Sequence, residues 1–161
     1  SRRWAPTGAD VGDAQARRRE RLRTAVADRD LDALLVTSLV NVRYLTGFTG
    51  SAAMLLVLPD EAVFVSDGRY GEQAELQLGG HGVAARIEIT NHEQREALQG
   101  ALAAAPAVQR LGLEAHGVTW AQQQDFGQRP GFTLLRQVTA KEDRNQMALS
   151  VPFNVQRASL L

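Results

Sequence analysis

The segment SDGRY (66–70) brings a carboxylate, a guanidinium and a phenol together on Asp67, Arg69 and Tyr70. Asp67-Gly68 is a turn signal directly after the apolar run AVFVS, so these groups stand where a strand ends and a helix begins. One interpretation is a structural corner, in which Asp67 caps the helix and Arg69 ties the turn down. The other is one wall of a ligand site that belongs to another domain or subunit.

Metal chemistry has little support in the sequence. The three histidines are His81, His92 and His116, and none pairs with another at the spacing of metal ligands. His92-Glu93 begins like the zincin helix motif, but Glu96 stands where the second histidine is needed. We therefore expect surface or capping histidines and no metal site in this chain.

Nucleophilic catalysis has no support either. Cysteine is absent, and Ser51 in TGFTGSAA lacks the second glycine of a nucleophile elbow because Ala53 occupies that place. Gly47 and Gly50 do not have the spacing of a phosphate-binding loop. We expect GFTGS to form a tight turn into the next strand, and we predict no catalytic residue.

Length and charge limit the possible class of protein. The 161 residues suffice for one ordinary domain, and 18 Lys+Arg balance 18 Asp+Glu. This balance gives no field that favours nucleic acid or an acidic membrane. The longest apolar run, 52–58, is far shorter than a membrane span, and no leader pattern opens the chain. We expect a cytoplasmic protein with neither nucleic acid nor membrane as partner.

One local charge cluster stands out. RRRERLR (17–23) carries five arginines and one glutamate. It could contact phosphates or an acidic partner, but no aromatic residue interrupts it. We interpret it as the solvated face of a first helix.

The order of predicted elements positions these groups. A helix over 14–29 precedes a buried strand in 31–38, a helical turn, and a hairpin of 52–58 with 62–66. Helices and strands then alternate: a helix over 69–78 ended by Gly79-Gly80, a strand at 83–89, a helix capped by Asn91, a strand at 110–115, a short helix after Thr119 and a strand at 132–138. This alternation predicts a mixed sheet with helices on both faces.

Three segments carry a family resemblance: RRERLRTAVADRDLDALLVTS, NVRYLTGFTGS and AVFVSDGRYGEQA, in this order. They resemble the amino-terminal domain of the creatinase/prolidase superfamily, which includes Xaa-Pro dipeptidases and aminopeptidases P. The resemblance implies a three-layer α/β/α domain with a mixed six-stranded sheet and a ribonuclease H-like topology. It also implies that this domain has no catalytic metal ligands.

The resemblance implies that in such proteins a following pita-bread domain, which binds two divalent metals (Mn, Co or Zn), carries out the reaction. We accordingly interpret 1–13 as a flexible arm, 14–138 as the family domain and 139–161 as a truncated linker toward an absent catalytic domain.

The resemblance further implies a homodimer, in which this domain helps to close the partner subunit's active site around proline-containing peptides. The matching contact candidates are Ser38, Asn41, Asp67, Arg69 and Tyr70. The alternative is a stand-alone peptide- or protein-binding module of the same fold without peptidase activity.

Overall fold

A computed structural model describes residues 8–91, 94–114, 133–134 and 153–154, with side chains for 14–91 and 94–114. The helices are α1 (Gly8–Asp28), α2 (Leu39–Thr46), α3 (Gly71–Gly80) and α4 (Gln94–Ala103), and a short 3-10 turn, Gly68–Tyr70, precedes α3. The strands are β1 (Ala33–Val36), β2 (Ala53–Val57), β3 (Ala62–Asp67), β4 (Arg86–Thr90), β5 (Arg110–Glu114), β6 (Thr133–Leu134) and β7 (Phe153–Asn154).

The strands form one mixed sheet in the order β4-β3-β2-β1-β5, with β6 and β7 both paired to the far side of β5. β1, β2 and β3 are antiparallel neighbours, whereas β4 runs parallel to β3 and β5 runs parallel to β1. The predicted mixed sheet is confirmed. The predicted count of six strands is wrong: in the described part, five strands have four to six residues, and two further segments have only two residues each.

Helices cover both faces of this sheet. One face packs under α1, α2 and α3, where Leu34, Leu55 and Phe64 share a core with Leu22 and Leu78. The opposite face packs under α4, whose buried side chains meet the alternate residues of the same strands. β1 and most of β2 are buried on both faces, which is why their sequences are continuous apolar runs. The three-layer α/β/α prediction is confirmed.

The first helix departs from the prediction at its start. α1 begins at Gly8, six residues before the predicted start at Ala14, so residues 8–13 are helical and do not belong to a flexible arm. The low apolar content of 8–13 hid the helix, because periodicity needs apolar residues to be visible.

The arginine run also departs from the prediction of a solvated face. Arg19 is buried and donates to the carbonyl oxygen of Leu45 at 2.8 Å, and Arg18 donates to that of Tyr44 at 3.0 Å while its guanidinium lies 3.9 Å above the Tyr44 ring. These carbonyls lie at the end of α2, where backbone oxygens lack intrahelical partners, so arginines of α1 serve as their donors. Burial, followed by the charge of Arg23, lowers the pKa of Arg19.

Two turn predictions have different outcomes. The hairpin of β2 and β3 is confirmed, and Leu58 donates its backbone N–H to the carbonyl of Glu61 at 2.9 Å. α3 does not stop before Gly79-Gly80 but includes both, and the chain turns after His81, where Gly82 has φ of +60°.

Several predictions fall outside the described residues: the arm over 1–7, the helix after Thr119, the linker over 139–161 apart from β7, and most of the strand at 132–138. Within the described residues, no helix is both long and apolar enough to cross a bilayer.

Candidate functional site

All five predicted contact residues lie at one end of the sheet, which we call the carboxyl end. Because β1, β3, β4 and β5 point the same way and β2 points the opposite way, four strands end here and β2 begins here. The register places Val36 beside Leu55 and Leu55 beside Phe64. β2 thus separates the ends of β1 and β3, which lie roughly 10 Å apart at two strand spacings. The fold brings the two groups of candidates to one end but keeps a strand between them.

Asp67 and Arg69 form a closed ion pair at the end of β3. Asp67 Oδ1 accepts from the backbone N–H of Arg69 at 3.0 Å and from its Nε at 3.1 Å, while Oδ2 accepts from Nη2 at 2.7 Å. The hydrogen bond from Arg69 lowers the pKa of Asp67, and the reciprocal bond raises the pKa of Arg69. Asp67 caps the 3-10 turn, as the structural-corner interpretation predicts. The Arg69 side chain nevertheless remains 72% exposed, so it can meet a further acceptor.

Tyr70 ties this corner to the GFTGS loop. Its hydroxyl lies 2.6 Å from Ser51 Oγ, and its ring packs edge-on against Phe48 at a centroid distance of 5.8 Å. Phe48 in turn contacts Phe64 of β3 at 4.9 Å, so an aromatic column leads from the core to the surface. The hydrogen bond with Ser51 lowers the pKa of the Tyr70 phenol.

The glycines of this loop have separate roles. Gly47 ends α2 with φ of +79°, a conformation that L side chains rarely adopt. A Cβ on Gly50 would overlap the Phe48 ring and lie 3.0 Å from the Tyr70 ring. Gly50 therefore allows the close approach of the loop and the corner. The predicted tight turn is not seen: residues 47–50 have no regular structure, and the chain bends at Ser51 and Ala52 before it enters β2.

Ser38 and Asn41 are held by a residue that the sequence reasoning missed, Glu114. Its Oε2 accepts from the backbone N–H groups of Thr37 and Ser38, each at 2.7 Å, and its Oε1 accepts from the Asn41 side-chain amide at 2.7 Å. The Ser38 side chain makes no cap of its own, so Glu114 caps α2 from a neighbouring strand. Glu114 is 1% exposed, and a carboxylate so buried needs such donors and gains from the positive end of the helix dipole.

A signal for Glu114 did exist in the sequence. RLGLE is apolar apart from its ends, and an acidic residue closing a buried strand needs a donor. Because the donors lie more than 70 residues earlier in the chain, only the parallel pairing of β1 and β5 reveals them.

Beside this cap, α2 exposes apolar side chains. Val40 is 76% exposed and Leu39 is 39% exposed. The Asn41 amide is hydrogen-bonded to Glu114. The exposed groups at this end of the sheet include these two apolar side chains and Arg69.

Metal ligands are not gathered in the part of this domain that the structure describes. Among the residues that the structure describes, no group of three or more His, Cys, Asp or Glu side chains could hold a metal ion. His81 follows the last residue of α3, donates its backbone N–H to Gln77 and packs against Gly47. His92 and His116 lie outside the described residues. We place no metal-dependent step on the residues described.

The geometry defines a class of domain, an α/β/α fold with a mixed sheet. At one end of this sheet lie the N-terminus of α2 with Glu114, the Asp67–Arg69 ion pair and the contact of Tyr70 with Phe48. A sequence profile of the Creatinase/Prolidase N-terminal domain matches residues 18–142. The chain therefore belongs to the creatinase/prolidase N-terminal domain family.

Individual relatives agree with this assignment. The chain is 37% identical over 108 residues to the uncharacterized peptidase YqhT of Bacillus subtilis, and the match covers 63% of this chain and 27% of that protein. The N-terminal domain of the cytoplasmic peptidase PepQ from Mycobacterium tuberculosis superimposes with a TM-score of 0.59 and 39% identity, over 67% of this chain and 80% of that one. A Xaa-Pro dipeptidase from Bacillus anthracis superimposes with a TM-score of 0.63 and 27% identity, over 70% of this chain and 30% of that one. The chain thus spans less than a third of the length of YqhT and of the Bacillus anthracis dipeptidase.

Proposed function

We propose that this chain is the non-catalytic N-terminal domain of a proline-specific metallopeptidase, either a Xaa-Pro dipeptidase or an aminopeptidase P. The observation that carries the proposal is the 39% identity to the N-terminal domain of a PepQ peptidase over most of that domain. Two structurally similar proteins, a Xaa-Pro dipeptidase from Bacillus anthracis and a Xaa-Pro aminopeptidase from Streptococcus thermophilus, support the same substrate class. The cytoplasmic description of the PepQ relative supports a cytoplasmic location.

In this proposal, bond cleavage belongs to a separate catalytic domain, where two divalent metals (Mn, Co or Zn) would activate water. The domain described here contributes dimerisation and closure of the partner subunit's active site. Arg69 is the polar group best suited to meet substrate or partner, because its ion pair with Asp67 fixes its direction while most of its side chain stays exposed. Val40 and Leu39 supply apolar surface at the same end of the sheet.

The division of labour is tested with the chain alone. Purified chain should hydrolyse no Xaa-Pro dipeptide or tripeptide in the presence of Mn²⁺, Co²⁺ or Zn²⁺. Metal-dependent cleavage that co-purifies with the chain through successive columns would contradict the proposal. A mock purification from host cells that lack the chain serves as the control and should show no such cleavage.

The gating role is tested in a chimera of this chain with the catalytic portion of the Bacillus subtilis relative. We expect the chimera to cleave Xaa-Pro peptides, and Arg69→Ala to raise KM more than it lowers kcat, because a closing contact acts on bound substrate. Arg21→Ala removes the same charge from the exposed face of α1 and serves as the control. A well-folded chimera that is inactive on every Xaa-Pro peptide, and that binds such peptides without cleaving them, would favour the binding-module alternative.

A further inference from the structure

In the part of the chain that the structure describes, β4 pairs with another strand on one side only. β4 is the last strand in the sheet order, and β3 pairs with it over five consecutive residues, from Val63 beside Arg86 to Asp67 beside Thr90. No other strand among the described residues pairs with β4. The backbone N–H and C=O groups along such a side can accept another strand.

Three devices that can protect an edge strand are absent from β4: proline, lysine and a bulge. The strand RIEIT contains neither proline nor lysine, and its regular register with β3 shows no bulge. Ile89 is 40% exposed, an unusual apolar side chain for a protected edge. Its charges are of both signs: the side chains of Arg86 and Glu88 are 42% and 39% exposed and lie 3.1 Å apart on one face of the strand.

This charge order is complementary to itself under two-fold symmetry. In an antiparallel pair of β4 strands centred on Ile87, Arg86 of each copy lies directly opposite Glu88 of the other. The same register places exposed Ile89 opposite Ala85, which is apolar. A pair centred on Arg86 or on Glu88 would instead set identical charges against each other. A register shifted by one residue would set Arg86 and Glu88 opposite residues whose side chains belong to the other face of the sheet.

We propose that β4 pairs with β4 of a second copy of this chain, in the antiparallel register centred on Ile87, and so joins two sheets across a two-fold axis. The inference rests on the proposed dimerisation role and gives that role a location. Each copy contributes the same surface, as a two-fold interface requires. The Arg86 side chain, which also lies 3.6 Å from Glu61, would exchange part of its intrachain pairing for the cross-strand pair.

The size of this interface indicates a concentration-dependent dimer. A pair of five-residue strands is smaller than the roughly 1,200–2,000 Å² of a standard stable interface, although α3 and α4, which contact β4, lie beside it. We therefore expect a Kd on the order of micromolar.

Charge reversal tests the register directly by sedimentation equilibrium of the whole chain at about 5–500 µM, a range chosen to bracket such a Kd. Arg86→Glu sets two carboxylates against each other in both cross-strand pairs, and Glu88→Arg sets two guanidinium groups against each other in the same way. Each variant should therefore self-associate at least about tenfold more weakly than the unmodified chain. An equimolar mixture of the two variants should form a heterodimer with affinity near that of the unmodified chain, because each of its two cross-strand pairs then joins a carboxylate of one variant to a guanidinium of the other. Native mass spectrometry distinguishes this heterodimer by mass.

Matched controls reverse exposed charges elsewhere. Arg43→Glu on α2 and Glu75→Arg on α3 should leave self-association unchanged, and circular dichroism melting curves of all four variants should show that each is folded. The heterodimer rescue excludes loss of folding as the cause of weak self-association in the single variants.

Two results would overturn the inference in distinguishable ways. A dimer that both β4 variants leave intact, with no preference for the mixture, places the interface elsewhere and leaves the proposed dimerisation role standing. A chain that is monomeric at every concentration overturns both the β4 interface and self-association of this domain. In neither case is the proposed peptidase role affected, since the chimera tests it independently.

Discussion

The side-chain amide of Asn41 donates a 2.7 Å hydrogen bond to the carboxylate of Glu114, 73 residues later in the chain. Asp32 makes a corresponding link at the other end of the same strand pair, where it accepts from the backbone N–H and the side chain of Arg110. Two carboxylates thus fasten the parallel strands β1 and β5, one at each end. No tight turn can join parallel strands, so these two links add to the backbone pairing of β1 and β5 between segments far apart in the chain.

Removing the Glu114 carboxylate should destabilise the domain. Glu114→Ala leaves the N–H groups of Thr37 and Ser38 and the Asn41 amide without their acceptor, and we expect a loss of about 3 kcal/mol in unfolding free energy. Glu114→Gln keeps one acceptor oxygen and should cost about half as much. Urea denaturation measures both, with the exposed Glu75→Gln as a control expected to lie within about 0.5 kcal/mol of the unmodified chain. A Glu114→Ala variant as stable as that control would contradict the capping role.

Asp32 should make stability depend on pH in the acid range. Burial raises its pKa, but hydrogen bonds from Arg110 and from the backbone of Gln109 outweigh this effect, and the net pKa is lowered. A carboxyl whose folded pKa is lowered stabilises the fold fully above its unfolded pKa, about 3.9, and loses this contribution as pH falls through the folded value. Urea titrations between about pH 5 and pH 2 should therefore show a shallower loss of stability for Asp32→Asn than for the unmodified chain. Equal slopes would show that Asp32 does not act in this way.

Two glycine substitutions should have opposite effects. Gly47→Ala must place a Cβ at φ of +79° and against the His81 ring, so we expect a loss of about 2–4 kcal/mol. Gly100 lies within α4 with nothing within 4 Å of an added Cβ, so Gly100→Ala should stabilise by about 0.5–1 kcal/mol. Thermal and urea unfolding of the pair measure the difference. A Gly47→Ala variant of unchanged stability would show that the loop can leave this conformation without cost.

The Ser51–Tyr70 bond should be visible in the titration of the phenol. The chain has two tyrosines, so Tyr44→Phe leaves Tyr70 as the sole source of tyrosinate absorbance. In that background Ser51→Ala should raise the pKa of Tyr70 toward its ordinary value of about 10, because the hydrogen bond with Ser51 lowers it. Thr49→Ala, in the same loop but bonded to Gln73 and Gln77, should leave the titration unchanged. Equal titration curves for all three proteins would exclude the bond in solution.

Much of the fold follows from local pattern. Continuous apolar runs at 33–36 and 53–57 predict strands buried on both faces, and the Leu58–Glu61 turn forces β2 and β3 into an antiparallel pair. Leu98 and Leu102 mark the buried side of α4 by their spacing alone. The segment SDGRY likewise indicates its own cap, because Asp67 and Arg69 lie two residues apart and their contact is local.

The rest depends on contacts between distant parts of the chain. The sequence alone determined the α/β class, the hairpin and the positions of the candidate residues, since each depends on neighbours within a few residues. Only the tertiary structure decided that Glu114 holds Ser38 and Asn41, that Arg18 and Arg19 turn inward to the end of α2, and that Tyr70 meets Ser51. A buried polar group must find a partner wherever the fold provides one, and spacing along the chain carries no record of which partner that is.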